Sequence, residues 1–244
     1  MRPTGWRPTT SDRERLLAFE GYGPDRSDVI FVGLEEYCDA DPEKQRDGVW
    51  VRCTSPAYAS KRVDKDEALA SLVGLVKTDV PVWDMMATIM SGLTGRSHEE
   101  ERSALGSRPP RTDFSSWLTE LRALPRPGTN AFKGTYIDEW FAEEFRSAKE
   151  YDASSSASVS RINAALAADP LPQYAFFYGL PACRWAKEHL SGVRWKGSAG
   201  EIEVGQNGTG TKVGLTGFYN GQHAPTSFRI HHVPALLGLL KDCD

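Results

Sequence analysis

Cysteine and long apolar stretches are scarce in this chain of 244 residues, and their scarcity excludes several classes of protein. The cysteines stand far apart and include no Cys-x-x-Cys pair: Cys38, Cys53, Cys183 and Cys243. This spacing does not suit a zinc site or a disulfide framework, and it is typical of reduced cytoplasmic thiols. No apolar run approaches the ~20 residues that a membrane-spanning helix needs, so we expect no membrane partner. The first six residues lack the apolar segment of a secretory signal, so we expect a cytoplasmic location.

Positive charge is not in excess either. The formal net charge is −4 at pH 7 and the isoelectric point is about 5.8. Proteins that hold nucleic acid regardless of its sequence usually carry a basic surface, so this balance counts mildly against such a role without excluding a local basic patch. The hydrophobic share of 40% and the charged share of 25% are ordinary for a globular protein. With no internal repeat and no break in composition, we expect a single domain over residues 1–244.

Short runs of β-branched and aromatic residues predict buried strands at 29–32 and 174–178. Helical spacing of apolar residues predicts helices at 10–20, 68–76, 85–90, 114–124, 136–150 and 158–168, from 181 onward, and at 236–240. Residues 204–216 suggest a hairpin, 33–60 a polar irregular stretch and 95–111 a charged surface loop. Strands that alternate with helices indicate a mostly parallel sheet covered on both faces. The predicted fold is an α/β protein, a three-layer α/β/α sandwich with a short, mostly parallel central sheet.

Two polar segments are candidates for chemistry. The first, Gly33-Leu34-Glu35-Glu36-Tyr37-Cys38, directly follows the first predicted strand, and we call residues 33–38 the acid loop. In open α/β sheets, ligands bind just beyond the carboxyl ends of the strands. The second, residues 220–229, follows the last predicted strand and contains His223, and we call it the histidine loop. Each also has a simpler interpretation. The acid loop can be an ordinary strand end with a solvated carboxylate, and His223 can be a loop histidine that hydrogen-bonds to the backbone.

Together these segments resemble the uracil-DNA glycosylase superfamily. The acid loop is similar to the family motif Gly-Gln-Asp-Pro-Tyr-His, and the histidine loop is similar to its His-Pro-Ser-Pro motif. Gly179-Leu180-Pro181-Ala182 resembles the start of a family helix, a match that carries no catalytic residue. Asn130 lies where the family often has an asparagine at the end of its second strand, and Trp50 near a stacking aromatic. These segments stand in the family's order and span nearly the whole chain.

The resemblance implies hydrolysis of the N-glycosidic bond of uracil or a related deaminated base in DNA. The implied catalytic residues are Glu35, which would stabilise the sugar cation or activate water, and His223, which would hold the negative charge of the leaving base. The implied substrate-binding residues are Tyr37 beside the base, Asn130 on the pyrimidine edge, Trp50 stacked on the base, and Pro225, Thr226 and Ser227 on phosphate. A turn-forming role for Asn130 and a core role for Trp50 are the simpler alternatives. The partner would be DNA that contains a damaged base. No metal, other cofactor or obligate protein partner is expected.

Three departures from the family motif leave other functions open. Glu35 replaces an aspartate, Glu36 a proline and Cys38 a histidine, and two adjacent carboxylates repel DNA phosphates unless one is turned away or protonated. The cysteine spacing does not match that of the branches with an iron–sulfur cluster. The alternative function is a non-catalytic nucleic-acid- or nucleotide-binding protein on the same fold. A third is a nucleotide-hydrolysing enzyme of another α/β family, which would release phosphate in a metal-dependent reaction.

Overall fold

One mixed sheet organises the fold. The computed structural model describes residues 2–34, 38–75, 81–127, 131–200, 202–217 and 232–243. Within these ranges the strands are β1 (Gly21–Tyr22), β2 (Val29–Gly33), β3 (Arg62–Val63), β4 (Ser116–Glu120), β5 (Tyr174–Tyr178), β6 (Arg194–Ala199), β7 (Ile202–Gln206) and β8 (Lys212–Thr216). They lie in the order β3-β1-β4-β2-β5-β8-β7-β6. The protein is therefore an α/β protein with a largely parallel sheet flanked by helices.

The centre of this sheet is parallel. β2 pairs in parallel with β4 on one side and with β5 on the other, and β5 pairs in parallel with β8. Every residue of β2 is buried, because both faces of a parallel sheet are covered and a polar alternation would have no solvent to face. The prediction of a mostly parallel sheet is confirmed for these central strands. At the margins, β7 and β8 form an antiparallel pair, which confirms the hairpin predicted at 204–216. The antiparallel pairs between β1 and β4 and between β6 and β7 were not predicted.

Helices connect most of the strands. The described α-helices are α1 (Thr10–Leu17), α2 (Pro42–Thr54), α3 (Lys65–Ser71), α4 (Pro81–Thr94), α5 (His98–Ala104), α6 (Tyr136–Trp140), α7 (Ala148–Ala153), α8 (Ser158–Leu166), α9 (Leu180–His189) and α10 (Val233–Lys241). Polar caps begin several of them. Asp41 accepts the backbone N–H of Glu43 at the start of α2, and Ser97 forms a capping box with Glu100 at the start of α5. Among the helices described here, none has both the length and the apolar character to cross a membrane.

Alternate residues of the central strands enter two different hydrophobic cores. Val29 and Phe31 of β2 face a core that includes α4 and α10, whereas Ile30 and Val32 face a core that includes α8 and α9. A third cluster lies where α1, α2, α6 and α7 meet, and it is rich in aromatic side chains such as Tyr136. Because successive side chains of a strand point to opposite faces, the two cores also determine on which face each strand-end residue stands.

The structure corrects the predicted helix at 114–124. Ser116–Glu120 is strand β4, and Trp117 and Leu118 pack into opposite cores. Both sides of this short segment are buried, so its apolar residues carry no alternation that separates a strand from a helix. The segment is a strand because the neighbouring strand β2 pairs with it through the backbone along the full length of β4.

Two segments predicted as irregular are helical. The polar stretch that carries Trp50 contains α2, and the charged surface loop contains α5. The core side of α2 includes Gln45 and Arg52, which are polar yet buried, so no apolar stripe marked the helix. In α5, Glu101 is fully buried although its sequence context is a run of acidic residues. The edge strand β6 was also not predicted. Four of its six residues are exposed, so its sequence has no run of apolar residues that indicates a strand.

Candidate functional site

The parallel strands β4, β2, β5 and β8 end at one side of the sheet, which we call the carboxyl edge. The chain leaves β2 towards β4 on one side and later returns to β5 on the other side of β2. Such a reversal opens a crevice between the carboxyl ends of the two strands that flank it, and ligands of open α/β sheets bind there. The crevice beyond β2 and β5 is therefore the candidate site.

A hydrogen-bonded carboxylate and phenol lie at this crevice. Glu120 is the last residue of β4, Tyr178 is the last residue of β5, and the hydroxyl of Tyr178 donates to Oε1 of Glu120 over 2.7 Å. The pair reaches across the end of β2 at Gly33. A Cβ at this glycine would lie 2.2 Å from Oε2 of Glu120 and 2.4 Å from the hydroxyl of Tyr178. Only glycine fits there without displacing the pair.

The described ends of the acid loop are tied to the segment that follows β4. The carbonyl of Leu34 accepts the backbone N–H of Arg122 over 2.9 Å, and the backbone N–H of Cys38 donates to the carbonyl of Arg126 over 3.1 Å. Gly33 makes the same kind of bond, since its carbonyl accepts the N–H of Leu121 over 2.9 Å. The three residues 35–37 are therefore bracketed by two backbone anchors on one neighbouring segment.

Buried polar side chains hold that segment, residues 120–126, in place. The carbonyl of Glu120 accepts from Arg161 and that of Leu121 from Ser158, over 2.6 and 2.7 Å. Farther along, Tyr151 donates to the carbonyl of Leu124 over 2.5 Å and Tyr136 to that of Pro125 over 2.7 Å. Burial lowers the pKa of the Arg161 guanidinium. Because side chains bind four carbonyls of this short segment, its backbone is held in place beside the described ends of the acid loop.

Two arginines of the same segment share one carboxylate. Arg122 and Arg126 both form ion pairs with Oδ1 of Asp152, over 3.1 and 3.2 Å. Both guanidinium groups also stand over the ring of Tyr151, with the carbon of Arg126 4.7 Å from the ring centroid. Arg126 is almost fully buried. The two guanidinium groups therefore share one carboxylate and one aromatic ring.

Most of the residues predicted from the sequence lie outside the described ranges, and their positions along the chain relate them to the carboxyl edge. The residues concerned are Glu35, Tyr37, Asn130, His223, Pro225, Thr226 and Ser227. Along the chain, Glu35 comes two residues after the end of β2, and His223 comes seven after the end of β8 at Thr216. Both strands end at the carboxyl edge. Asn130 comes ten residues after the end of β4 along the chain, so it is not the residue that ends this strand.

Trp50 is the predicted site residue that the structure describes. It lies in the second half of α2 and is half-buried, and its backbone carbonyl accepts the hydroxyl of Thr54 over 2.8 Å. The structure therefore places it on a helix, where the sequence suggested an irregular stretch.

Sequence reasoning missed Glu120. The resemblance directs attention to Asn130 as the end of a second strand, whereas the parallel strand that pairs with β2 and follows it in the chain is β4, which ends at Glu120. The residue was overlooked because 114–124 was predicted to be a helix, in which Glu120 is one of several exposed polar positions. A signal was present, since Thr119-Glu120 ends an apolar run in the same way as Gly33 to Glu35 ends the first one.

Comparison with known proteins does not assign this site. Within the described ranges, no group of three or more His, Cys, Asp and Glu side chains is placed to hold a metal ion. A scan of the chain against protein-family models gave no match, and a search among curated proteins gave no significant match.

Proposed function

We propose that this protein is a DNA glycosylase on a three-layer α/β/α sandwich of the uracil-DNA glycosylase type. It hydrolyses the N-glycosidic bond of uracil or a related deaminated base in DNA. One observation carries the proposal: the strands that precede the acid loop and the histidine loop are parallel and end at the same edge, with one strand between them. Neighbouring strands are about 4.8 Å apart, so the two loops leave the sheet within about 10 Å of each other.

That spacing suits the two charges that bond cleavage creates. The enzyme takes the nucleotide out of the stack, since a base inside a duplex is not accessible. Cleavage then leaves positive charge on the sugar and negative charge on the base. The carboxylate of Glu35 stabilises the cationic sugar or activates water, and His223 donates to the base carbonyl that gains charge.

The remaining residues hold the substrate. Tyr37 lies beside the base and Trp50 stacks on it, while Asn130 contributes its amide. Pro225, Thr226 and Ser227 bind phosphate through backbone N–H groups and hydroxyls, which positions DNA without reading its sequence.

The surroundings of the acid loop support this assignment. Its two ends are anchored at Leu34 and Cys38. A carboxylate between these anchors can be positioned before the reaction, so that less conformational entropy is lost in reaching the transition state. Arg122 and Arg126, whose backbones provide these anchors, each bring a guanidinium group that pairs with Asp152. Positive charge at this position favours the ionised form of a nearby carboxylate. The four cysteines are all buried and none forms a disulfide, which fits a protein of the cytoplasm.

Base excision from labelled oligonucleotides tests the proposal. The substrates contain uracil, hypoxanthine or xanthine, in single- and double-stranded form, and the buffer contains a chelator. Wild-type protein should leave abasic sites, and Glu35→Gln and His223→Ala should each reduce the rate by a factor of about 100 or more.

The matched controls are Glu188→Gln and His189→Ala, at the end of α9 that lies away from the carboxyl edge. They should act like wild type. Intact oligonucleotides with every protein would contradict the proposal and favour the non-catalytic binding protein instead.

A further inference from the structure

We infer that the hydrogen bond between Glu120 and Tyr178 positions the two catalytic loops of the proposed reaction relative to each other. The inference rests on the proposed function, because Glu35 and His223 act on one nucleotide only if the acid loop and the histidine loop are held at a fixed separation. Glu120 and Tyr178 are thus positioning residues. They act through the backbone that they hold and do not contact the substrate.

The last row of the sheet at the carboxyl edge brings these two side chains together. Gly33 of β2 pairs with Glu120 of β4. Val32 pairs with Phe177 of β5, so the next residue of β5, Tyr178, stands in this last row. Residues of one row point to the same face, and the outer two of three neighbouring strands are about 10 Å apart. Two long side chains can bridge this distance because the residue between them is a glycine.

Backbone pairing between β2 and β5 ends just before this row. The described ladder between the two strands stops one residue earlier, and the carbonyl of Gly33 bonds to the β4 side, through the N–H of Leu121. The crevice opens from this row outward. The hydrogen bond of 2.7 Å from Tyr178 to Glu120 passes over the end of β2, from β5 to β4. A link between side chains therefore joins the strands at the point where their backbones separate.

Each end of this link lies at the start of one catalytic loop. Glu120 is the strand partner of Gly33, the residue with which the acid loop begins. Tyr178 is the strand partner of Thr216, the last residue of β8, after which the chain continues to the histidine loop. The link therefore fixes the distance between the two loop starts.

Both side chains are held in this link. Oε1 of Glu120 accepts from Tyr178, and Oε2 is a buried atom packed against Gly33. Tyr178 is 9% exposed and belongs to the core that includes Phe31 and Phe176. The pair is therefore suited to holding backbone and not to binding a ligand. Such positioning matters for catalysis, because a misplacement of about 1 Å can cost about 100-fold in rate.

Excision by Tyr178→Phe tests the inference. The assay measures the single-turnover rate at saturating protein, and the dissociation constant, for an oligonucleotide with a base that wild-type protein excises. The substitution leaves the ring in the core but removes the link between the loop starts. The rate should therefore fall by a factor of about 10 to 100 while the dissociation constant stays the same, since the loss affects the transition state and not binding.

Thr211→Val is the matched control. The hydroxyl of Thr211 is also buried and donates to the carbonyl of Pro172 over 2.8 Å, at the end of β8 that lies away from the carboxyl edge. This variant loses a buried hydrogen bond of the same kind and should keep the wild-type single-turnover rate. A general effect of lost stability would lower both rates, whereas a positioning role lowers only that of Tyr178→Phe.

Two substitutions of Glu120 separate the hydrogen bond from the charge, and they also cover the case in which Tyr178→Phe does not fold. Glu120→Gln keeps an oxygen that can accept from Tyr178. It should retain the rate to within a factor of about five, because a neutral acceptor bonds less strongly than a charged one. Glu120→Leu offers no acceptor and should lose as much rate as Tyr178→Phe.

The outcomes separate the inference from the proposed function. Three results overturn the inference and leave the glycosylase assignment standing: wild-type rates for Tyr178→Phe and Glu120→Leu, a loss in Thr211→Val as large as in Tyr178→Phe, or equal losses in Glu120→Gln and Glu120→Leu. Failure of wild-type protein to excise uracil, hypoxanthine or xanthine overturns both.

Discussion

Replacing Gly33 with alanine should break the contact that holds Glu120 against Tyr178. The added Cβ would stand 2.2 Å from Oε2 of Glu120, 2.4 Å from the hydroxyl of Tyr178 and 2.6 Å from its Cζ. Van der Waals contact begins near 3.4 Å, so both side chains must move by about 1 Å. Backbone strain plays no part, because the φ of Gly33 lies outside the left-handed region.

The expected loss of stability has two components. Overpacking a buried site costs about 1–3 kcal/mol, and disturbing the hydrogen bond between the phenol and the carboxylate costs about 1 kcal/mol more. We therefore expect Gly33→Ala to lower the free energy of unfolding by about 2–4 kcal/mol. With a urea m-value of about 2–3 kcal/mol/M, the midpoint of unfolding falls by about 1 M.

Gly48→Ala is the matched control. Gly48 lies inside α2, and an added Cβ there meets no atom within 4 Å. Alanine is more favourable than glycine in a helix interior by about 0.8–1.0 kcal/mol, so this variant should be slightly more stable than wild type. Urea unfolding followed by tryptophan fluorescence measures both variants. Gly33→Ala with stability within about 0.5 kcal/mol of wild type would refute the close packing argued here.

Two further predictions concern an exposed leucine and a buried thiol. Leu180→Ala should slow excision from duplex more than from single-stranded substrate, because Leu180 is 47% exposed at the carboxyl edge and an apolar side chain there can fill the gap left by a flipped base. The control is Leu171→Ala, which changes an exposed leucine before the other end of β5 and should alter neither rate. Equal effects of Leu180→Ala on both substrates would contradict this prediction. Burial raises the pKa of the Cys53 thiol to about 11 from its ordinary 9.0. The folded state keeps this proton longer than the unfolded state, so the stability that it contributes is complete below pH 9 and is lost as pH rises towards about 11. Urea midpoints at about pH 8 and about pH 10.5 should therefore fall more for wild type than for Cys53→Ala, and an equal fall would count against the raised pKa.

The parts of the fold that the sequence predicted are those with a local signal strong enough to stand alone. The strand at Tyr174–Tyr178 is an uninterrupted apolar and aromatic run closed by a glycine, and the structure has the same limits. α9 begins after Gly179, with Pro181 in its first turn, where a missing N–H is no loss. Such signals depend on the local stereochemistry of the chain and on burial of both faces of the strand. These elements can therefore be predicted without knowing which other segments pack against them.

Other elements were mistaken because their signal lies in their neighbours. The apolar residues of β4 suit either a strand or a helix, and only the hydrogen bonds offered by β2 decide between them. α2 buries Gln45 and Arg52, and each is stabilised by its surroundings: the amide of Gln45 donates to the carbonyl of Asp39, and the guanidinium of Arg52 stands over the rings of Phe19 and Tyr58. A pattern of apolar residues cannot reveal a helix whose buried side is held by such contacts.

The candidate site divides in the same way. The sequence alone determined that the acid loop follows a buried strand and that the histidine loop follows the last strand, because the types of a few neighbouring residues are enough to indicate where a strand ends and a polar loop begins. Only the tertiary structure decided that both strands are parallel, that they end at one edge, and that Glu120 and Tyr178 meet in front of Gly33. The physical reason is that strand order and cross-strand contacts come from the packing of segments far apart in the chain: Glu120 and Tyr178 are 58 residues apart.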